Sequence, residues 1–527
     1  MLLRELVTTA AASALLVLAL APGACGGTSS NGFGSGGPAG GPGGGDDASV
    51  AAGADGSPGT GPGRGGSSGG IGFMSPTGDA SAPSGCTGLQ CNVPAGCTTS
   101  LSGVVYDPAG ANPLYNVVVY VPNDPNGALL PIKQGTNSCN TCDVAIGNYV
   151  AATTSATDGS FTLTGVPAGT HVPLVVQIGK WRREVFLPQV KACTANKLTG
   201  AASTRLPAKR SEGDLPQMAL VTGGADNLGC FLEGVGLDPS EYSAPHAGGR
   251  LDIYQGQGRG GGRGGGGSGA PGLSSGTAGN CTTDNPNCVW NSKANLEAYD
   301  IVLLACEGDT FDPDESTNTT TNKTTTSKQA LHDWLDEGGK VFATHFHYTW
   351  FKNSPAPEFK TVATWLGNSS GSDNGLYNLD TSFPKAKVFS QWLANVGALT
   401  GTQIALTSVA ESVSTVSAAA QRWIYNPAAD PQGGPANDTK YMSFLTPIGG
   451  IPTKPADAGE AIGPQYCGKA VFSDLHAGGN PNGAIPSSCS GPPLSAQLKA
   501  LEFLFFDLSA CVSNDSLPPP PVPQPTK

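Results

Sequence analysis

Apolar and polar positions alternate at strand period through residues 98–195. Leu101-Ser-Gly-Val-Val-Tyr-Asp107 is a first run, and Asn116-Val-Val-Val-Tyr-Val121 is a second, ended by Pro122-Asn-Asp-Pro-Asn-Gly. Gly159-Ser-Phe-Thr-Leu-Thr-Gly165, His171-Val-Pro-Leu-Val-Val-Gln-Ile178 and Glu184-Val-Phe-Leu187 follow. Short runs at regular spacing, closed by Pro and Gly turns, predict a β-sandwich. From 217 to 512 the period changes and strands alternate with helices. Gln217–Thr222, Arg250–Tyr254, Tyr299–Ala305, Lys340–His345 and Lys469–Asp474 read as strands. The third is nearly all apolar, as a strand covered on both faces should be. Cys230–Val235 starts a short helix. Ser327–Gly338 places Ala330, Leu331, Trp334 and Leu335 on one face and ends at Gly338, and 495–508 is a final amphipathic helix. Such alternation predicts a doubly wound α/β sheet with its site at the carboxyl ends of the strands.

Other segments lack either period. Residues 26–97 are rich in Gly, Ser, Ala, Pro and Asp and read as a disordered tether. Residues 513–527 are a Pro-rich tail. Residues 256–279 are a Gly-rich insertion with Arg259 and Arg263, read as a loop because it lacks the Gly-Lys-Ser/Thr ending of a phosphate loop. Residues 1–25 are an export signal: an apolar run too short to span a bilayer comfortably, ending in Gly23-Ala24-Cys25. The net charge of −12 argues against nucleic acid as a partner. With Cys25 set aside, an odd number of the 14 cysteines remains, so an exported chain should hold disulfides and at least one unpaired thiol. The near pairs Cys91/Cys97, Cys139/Cys142, Cys281/Cys288 and Cys467/Cys489 are the expected bridges.

Three resemblances add to this. Gly23-Ala24-Cys25 resembles a bacterial lipobox, which implies lipid on Cys25, a membrane anchor and an envelope lipoprotein, with the outer membrane favoured. Ser102-Gly-Val-Val-Tyr-Asp, Asn116-Val-Val-Val-Tyr-Val, Thr157-Asp-Gly-Ser-Phe-Thr-Leu and Val166-Pro-Ala-Gly together resemble the carboxypeptidase regulatory-like, or transthyretin-like, sandwich. That family implies a structural or binding module. Tyr299-Asp-Ile-Val-Leu-Leu, Trp334-Leu-Asp-Glu-Gly-Gly-Lys-Val-Phe-Ala-Thr-His345 and Gly468-Lys-Ala-Val-Phe-Ser-Asp-Leu-His476 resemble the class I glutamine amidotransferase-like superfamily and its ThuA-like branch. The implied architecture is a multidomain chain: a tethered β-sandwich, then a flavodoxin-like α/β domain.

In glutaminases of that superfamily a Cys nucleophile sits on the strand after the Glu-Gly-Gly helix end. Here that turn is Thr344-His345-Phe346-His347, as in ThuA-like proteins, and Cys306 lies on the preceding strand. Glutaminase chemistry is therefore not expected, and Cys306 is read as buried or disulfide-bonded. His345 and His347, two apart, would face the same way in a strand. With His476, Glu307 and Asp309 they form a candidate ligand set for zinc or another divalent metal. The plainer reading makes them buried polar residues that hold loops. Asp309, Asp312 and Asp314 lack EF-hand spacing and read as a solvated loop. Trp181-Arg182-Arg183 is read as a strand end packed on the next domain. The functional expectation is an envelope lipoprotein that binds carbohydrate or protein at the cell surface. The alternative is a metal-assisted hydrolase or sugar-modifying enzyme working through the His cluster.

Overall fold

Strands β1 (Ser100–Val104), β4 (Ser160–Thr164) and β7 (Ala195–Lys197) form one small sheet, in the order β4-β1-β7. Strands β2 (Val118–Pro122), β3 (Tyr149–Thr154), β5 (Val172–Ile178) and β6 (Trp181–Leu187) form another, in the order β3-β2-β5-β6. The computed structural model describes residues 85–518 and 522, except 136–138, 140–145, 257–275, 278–287, 317–320, 430–434, 452–463, 478–488 and 490–492. The signal, Cys25, most of the tether and of the Gly-rich insertion, Cys142, Cys281 and nearly all of the Pro-rich tail lie outside the described residues. Residues 85–97, read above with the tether, carry a short 3₁₀ turn at Gly88–Asn92 and are stapled by Cys86–Cys91 and Cys97–Cys193.

The rest of the chain builds one large mixed sheet. Its strands are β8 (Met218–Val221), β9 (Tyr242–Ser243), β10 (Leu251–Gln255), β11 (Gly276–Thr277), β12 (Ile301–Leu304), β13 (Lys340–Thr344), β14 (Ala363–Leu379), β15 (Leu399–Thr400), β16 (Gln403–Val416), β17 (Ala420–Tyr425), β18 (Thr439–Thr446) and β19 (Gly468–Ser473). The order is β11-β10-β8-β12-β13-β19-β18-β17-β14-β16-β15, with β9 beside β10. From β11 to β19 neighbouring strands run parallel, and from β19 onward they are antiparallel. A doubly wound α/β sheet was the expectation, and the antiparallel strands were not foreseen. The antiparallel half lies within 363–446, where Gly, Ser, Thr and Asn dilute the apolar pattern and β14 and β16 pair with repeated register shifts.

Helices are few: α1 (Leu228–Gly234), α2 (Lys293–Leu296), α3 (Thr325–Asp336), α4 (Thr349–Lys352), α5 (Pro357–Lys360), α6 (Pro384–Asn395) and α7 (Ala496–Ser509). Thr324 caps α3 by accepting from the Ser327 amide, and Gly338 just beyond its end has φ 119°. Ser495 caps α7 in the same way. Helix α7 is buried nearly all round, as a helix in the middle of a core must be. Its Phe503, Phe505 and Phe506 meet Trp181 of β6, Phe231 of α1, and Trp392 and Phe389 of α6. One hydrophobic cluster therefore runs from Leu101, Val119 and Leu174 of the small sheets to Leu220 and Leu303 of the large sheet, and includes the helix itself. The described residues form one compact unit. Trp181 is fully buried in this joint, and Arg182 is spent on Asp214 and the Leu130 carbonyl. Among the described residues no helix is long and apolar enough to cross a membrane.

Three of the four near pairs expected are replaced by other bridges, and the fourth, Cys281/Cys288, falls partly outside the described residues. Cys91 joins Cys86, Cys97 joins Cys193, Cys139 joins Cys467, and Cys489 joins Cys230. Proximity along the chain is a poor guide when the fold brings distant segments together. Cys288 and Cys511 are also disulfide-bonded.

Lys340 gives a testable consequence of this burial. Its ammonium is buried and donates to the Ala510 carbonyl (2.6 Å). Burial pulls its pKa from 10.5 down to about 7, against the opposing pull of Asp300. A lysine whose folded pKa lies below its unfolded value costs stability as the pH falls from 10.5 to 7, and the full cost is present below 7. Lys340→Met is expected to stabilise the fold by about 3–4 kcal/mol at pH 6, after allowing about 1 kcal/mol for the lost hydrogen bond. The gain should shrink toward zero by pH 9.5. Urea unfolding of both proteins at the two pH values checks this, and a pH-independent difference would refute it.

Candidate functional site

Four neighbouring parallel strands, β8, β12, β13 and β19, end on the same edge of the sheet. Each delivers a polar residue there: Asp226 after β8, Cys306 after β12, His345 after β13 and His476 after β19. Adjacent strands lie about 4.8 Å apart, so residues one to a few positions past their ends come within reach of each other.

Cys306 is held by its backbone. Its N–H donates to Thr344 Oγ1 (2.9 Å), and that hydroxyl donates to the Leu304 carbonyl (3.2 Å). The Cys306 carbonyl accepts from the Ala225 amide (3.0 Å). Only glycine fits at 223, since a Cβ there would stand 2.1 Å from the Cys306 carbonyl oxygen. His345 begins a 3₁₀ turn, His345–Tyr348, and has φ 39°. That left-handed backbone is uncommon outside glycine and is held by its surroundings. It turns the imidazole onto Cys306, with Nδ1 3.5 Å from Sγ. His345 and His476 meet edge to face, ring centres 5.1 Å apart. His476 Nδ1–H donates to the Ser408 carbonyl (2.8 Å), contributed by β16 from the antiparallel half. One donor atom from each of Cys306, His345 and His476 lies within 4.8 Å of the others.

The charges follow from burial. Burial, with His476 beside it, pushes the His345 imidazole well below its ordinary range, so it is neutral. Burial also pulls on His476. The hydrogen bond and charge of the Cys306 sulfur outweigh it, with help from the Asp226 carboxylate and the Ser408 carbonyl, and bring His476 up to about 10. Asp226 is buried, and burial raises its carboxyl against the pull of His476. Its Oδ1 accepts from the Asn227 amide (2.9 Å) and the Ala477 amide (2.6 Å), which ties the loop after β8 to the residue following His476.

The other residues singled out from sequence stand elsewhere. The turn at His345 breaks strand geometry, so His347 does not share its face. His347 is fully buried: Nε2–H donates to the Ala305 carbonyl (2.9 Å), and Nδ1 accepts from Trp350 Nε1 (2.9 Å). Both nitrogens are occupied, and its role is to clamp the peptide before Cys306. Glu307 forms a fully buried ion pair with Lys323. Asp309 accepts from the Thr310 amide and the Ser316 hydroxyl, a loop-holding role. Asp312 is bonded to Lys328, Thr349 and Asn353, and Asp314 also reaches Lys328, so the loop is not simply solvated as expected: Asp312 is buried on the ammonium of α3 while Asp314 stays exposed. The structure thus brings together His345 and His476 from the expected set, and adds Cys306 and Asp226. Gly223-Gly-Ala-Asp226, a glycine pair directly after a strand, was the available signal for the latter.

No protein-family profile matches this sequence, and no curated protein matches it. Among solved structures, a ThuA-like protein of Bacteroides uniformis is similar over 55% of this chain and 89% of its own, at 10% identity and TM-score 0.26. A cytoplasmic protein of Salmonella typhimurium is similar over 41% of this chain and 74% of its own, at 12% identity and TM-score 0.22. At such TM-scores the likeness transfers neither residues nor activity.

Proposed function

We propose that this is a ligand-binding protein of the cell envelope, held there by lipid on Cys25. In this reading the small sheets are a transthyretin-like sandwich, and the parallel half of the large sheet is a flavodoxin-like, ThuA-related unit. The ligand seat is the strand-end corner of Cys306, His345 and His476, and the ligand is carbohydrate or protein rather than nucleic acid. The observation that carries the placement is the disulfide set. Cys139–Cys467 and Cys230–Cys489 join segments 328 and 259 residues apart, and such bridges persist in oxidising compartments. A second reading, a hydrolase or sugar-modifying enzyme at the same corner, is favoured by the left-handed backbone of His345, since strain of this kind gathers at reactive sites.

Expression in a bacterium with an envelope tests the placement. Wild type should sediment with membranes, and its mature N-terminal peptide should carry the added mass of acyl chains. Cys25→Ser should appear in the soluble extracytoplasmic fraction. A wild-type protein that is soluble with an unmodified N-terminus would overturn the anchor. Binding to an array of envelope glycans, lost in His476→Ala, tests the seat.

A further inference from the structure

The geometry points to a transition-metal site of zinc type at Cys306, His345 and His476, with one coordination position left open. The inference deepens the reading of this corner as the functional one. It does not depend on the lipid anchor or on what ligand is bound.

Four observations carry it. First, the donor atoms come from three adjacent strand ends and lie within 4.8 Å of one another. Zinc bonded to sulfur at about 2.3 Å and to imidazole nitrogen at about 2.0 Å, at a tetrahedral angle, puts those two atoms about 3.5 Å apart. The Cys306 Sγ to His345 Nδ1 separation is 3.5 Å. Second, His345 is nine-tenths buried, its Nδ1 meets the Cys306 sulfur and its Nε2 has no hydrogen-bond partner, so neither nitrogen is spent on a group outside the ligand set. Buried imidazole nitrogens are rarely left so. Third, His476 is already oriented as metal ligands are. Its Nδ1–H is fixed by the Ser408 carbonyl, which sets the ring's orientation, and a bound cation would displace the Nε2 proton that the Cys306 sulfur now attracts. Fourth, Cys306 is buried and unpaired in a chain whose other described cysteines are bridged.

The donor chemistry selects the ion. One sulfur and two imidazoles suit zinc, cobalt or copper, and exclude magnesium and calcium, which take oxygen. Structural zinc sites close with four protein ligands, whereas three leave room for water or a ligand atom. His476 is the partly exposed member of the three, so the open position faces its side. A metal held this way can polarise a bound carbonyl or lower the pKa of a bound water, the chemistry of hydrolysis.

The test uses the full-length protein, purified from an oxidising compartment, stripped with chelator, and dialysed against zinc or cobalt alone. Elemental analysis should find one zinc per chain in wild type and none in Cys306→Ala or His476→Ala. The cobalt-loaded wild type should show a thiolate-to-cobalt charge-transfer band, absent in Cys306→Ala. His332→Gln, on α3 and bonded to Asp333 and Glu358 away from the ligand set, should keep its metal. A wild type that takes up no zinc, or that holds cobalt without a thiolate band, overturns the proposal. So does zinc retained at full stoichiometry by Cys306→Ala. The spectrum of the wild type decides the matter even where a variant fails to fold. Failure of metal binding leaves glycan binding at the corner to be read separately on the array.

Discussion

Asp515→Ala should lower stability by about 3–5 kcal/mol, the loss expected when one member of a buried charge network is removed. Asp515 lies in the segment that reads from sequence as the start of a Pro-rich tail, yet it is buried. Its carboxylate accepts from Lys385 of α6 (2.6 Å), from Lys469 of β19 (2.7 Å) and from the Ser443 hydroxyl of β18 (3.1 Å). Asp507 of α7 completes the group, 2.9 Å from Lys385 and 2.6 Å from Lys469. Two ammonium groups and two carboxylates balance, and removing Asp515 strands a positive charge in the core. Truncation after Val512 should cost as much as the point substitution, and urea unfolding checks both. A truncated protein as stable as wild type would show that the network is dispensable. The pH dependence has a definite sign. Burial raises the Asp507 carboxyl, but Lys385 and Lys469 overcome this and hold it below its ordinary 3.8. Its share of stability is therefore present above about pH 4 and lost as the pH falls through the depressed folded value.

How much of this was legible in sequence depends on how many faces of an element are buried. Ile301–Leu304 and Met218–Val221 are covered on both sides, so they are unbroken apolar runs and declare themselves. Helix α3 declares itself through its spacing and Gly338. The antiparallel half does not. Around 367–374 β14 reads Gly-Asn-Ser-Ser-Gly-Ser-Asp-Asn, a composition of loops, and only pairing with β16 makes it a strand. Asp515 was hidden for a related reason. A lone Asp before a run of prolines looks solvated, and nothing local announces two lysines that are 46 and 130 residues away.

The site divides in the same way. His345 and His476 follow legible strands, so their place at the sheet edge could be read. Cys306 was set aside because comparison by chain order assigns the reactive turn to the next strand. Space does not respect that distinction, since β12 and β13 are neighbours. The assumption that His345 and His347 share a face failed at one dihedral angle: a φ of 39° ends strand geometry and sends the second imidazole to Ala305 and Trp350.

The second large effect is expected at Cys139–Cys467. The bridge joins the long loop after β2 to the residue before β19, 328 positions apart. A crosslink restricts the unfolded chain more as the loop it closes lengthens, and removal typically costs about 2–5 kcal/mol. Other bridges, Cys97–Cys193 and Cys230–Cys489 among them, already shorten the effective loop, which places the expected loss inside that range rather than above it. The Cys139→Ser/Cys467→Ser double variant avoids a stray thiol from the pair. It should unfold at lower urea with a steeper dependence on denaturant, because the freed chain exposes more surface when it unfolds. Its corner should stay assembled: Cys467 enters β19 at one end and His476 leaves it at the other, with the β13 and β18 ladders between. Lost stability with unchanged metal uptake would assign this bridge to the scaffold. Equal stability in the double variant and wild type would show that the shared core and α7 alone hold the small sheets to the large one.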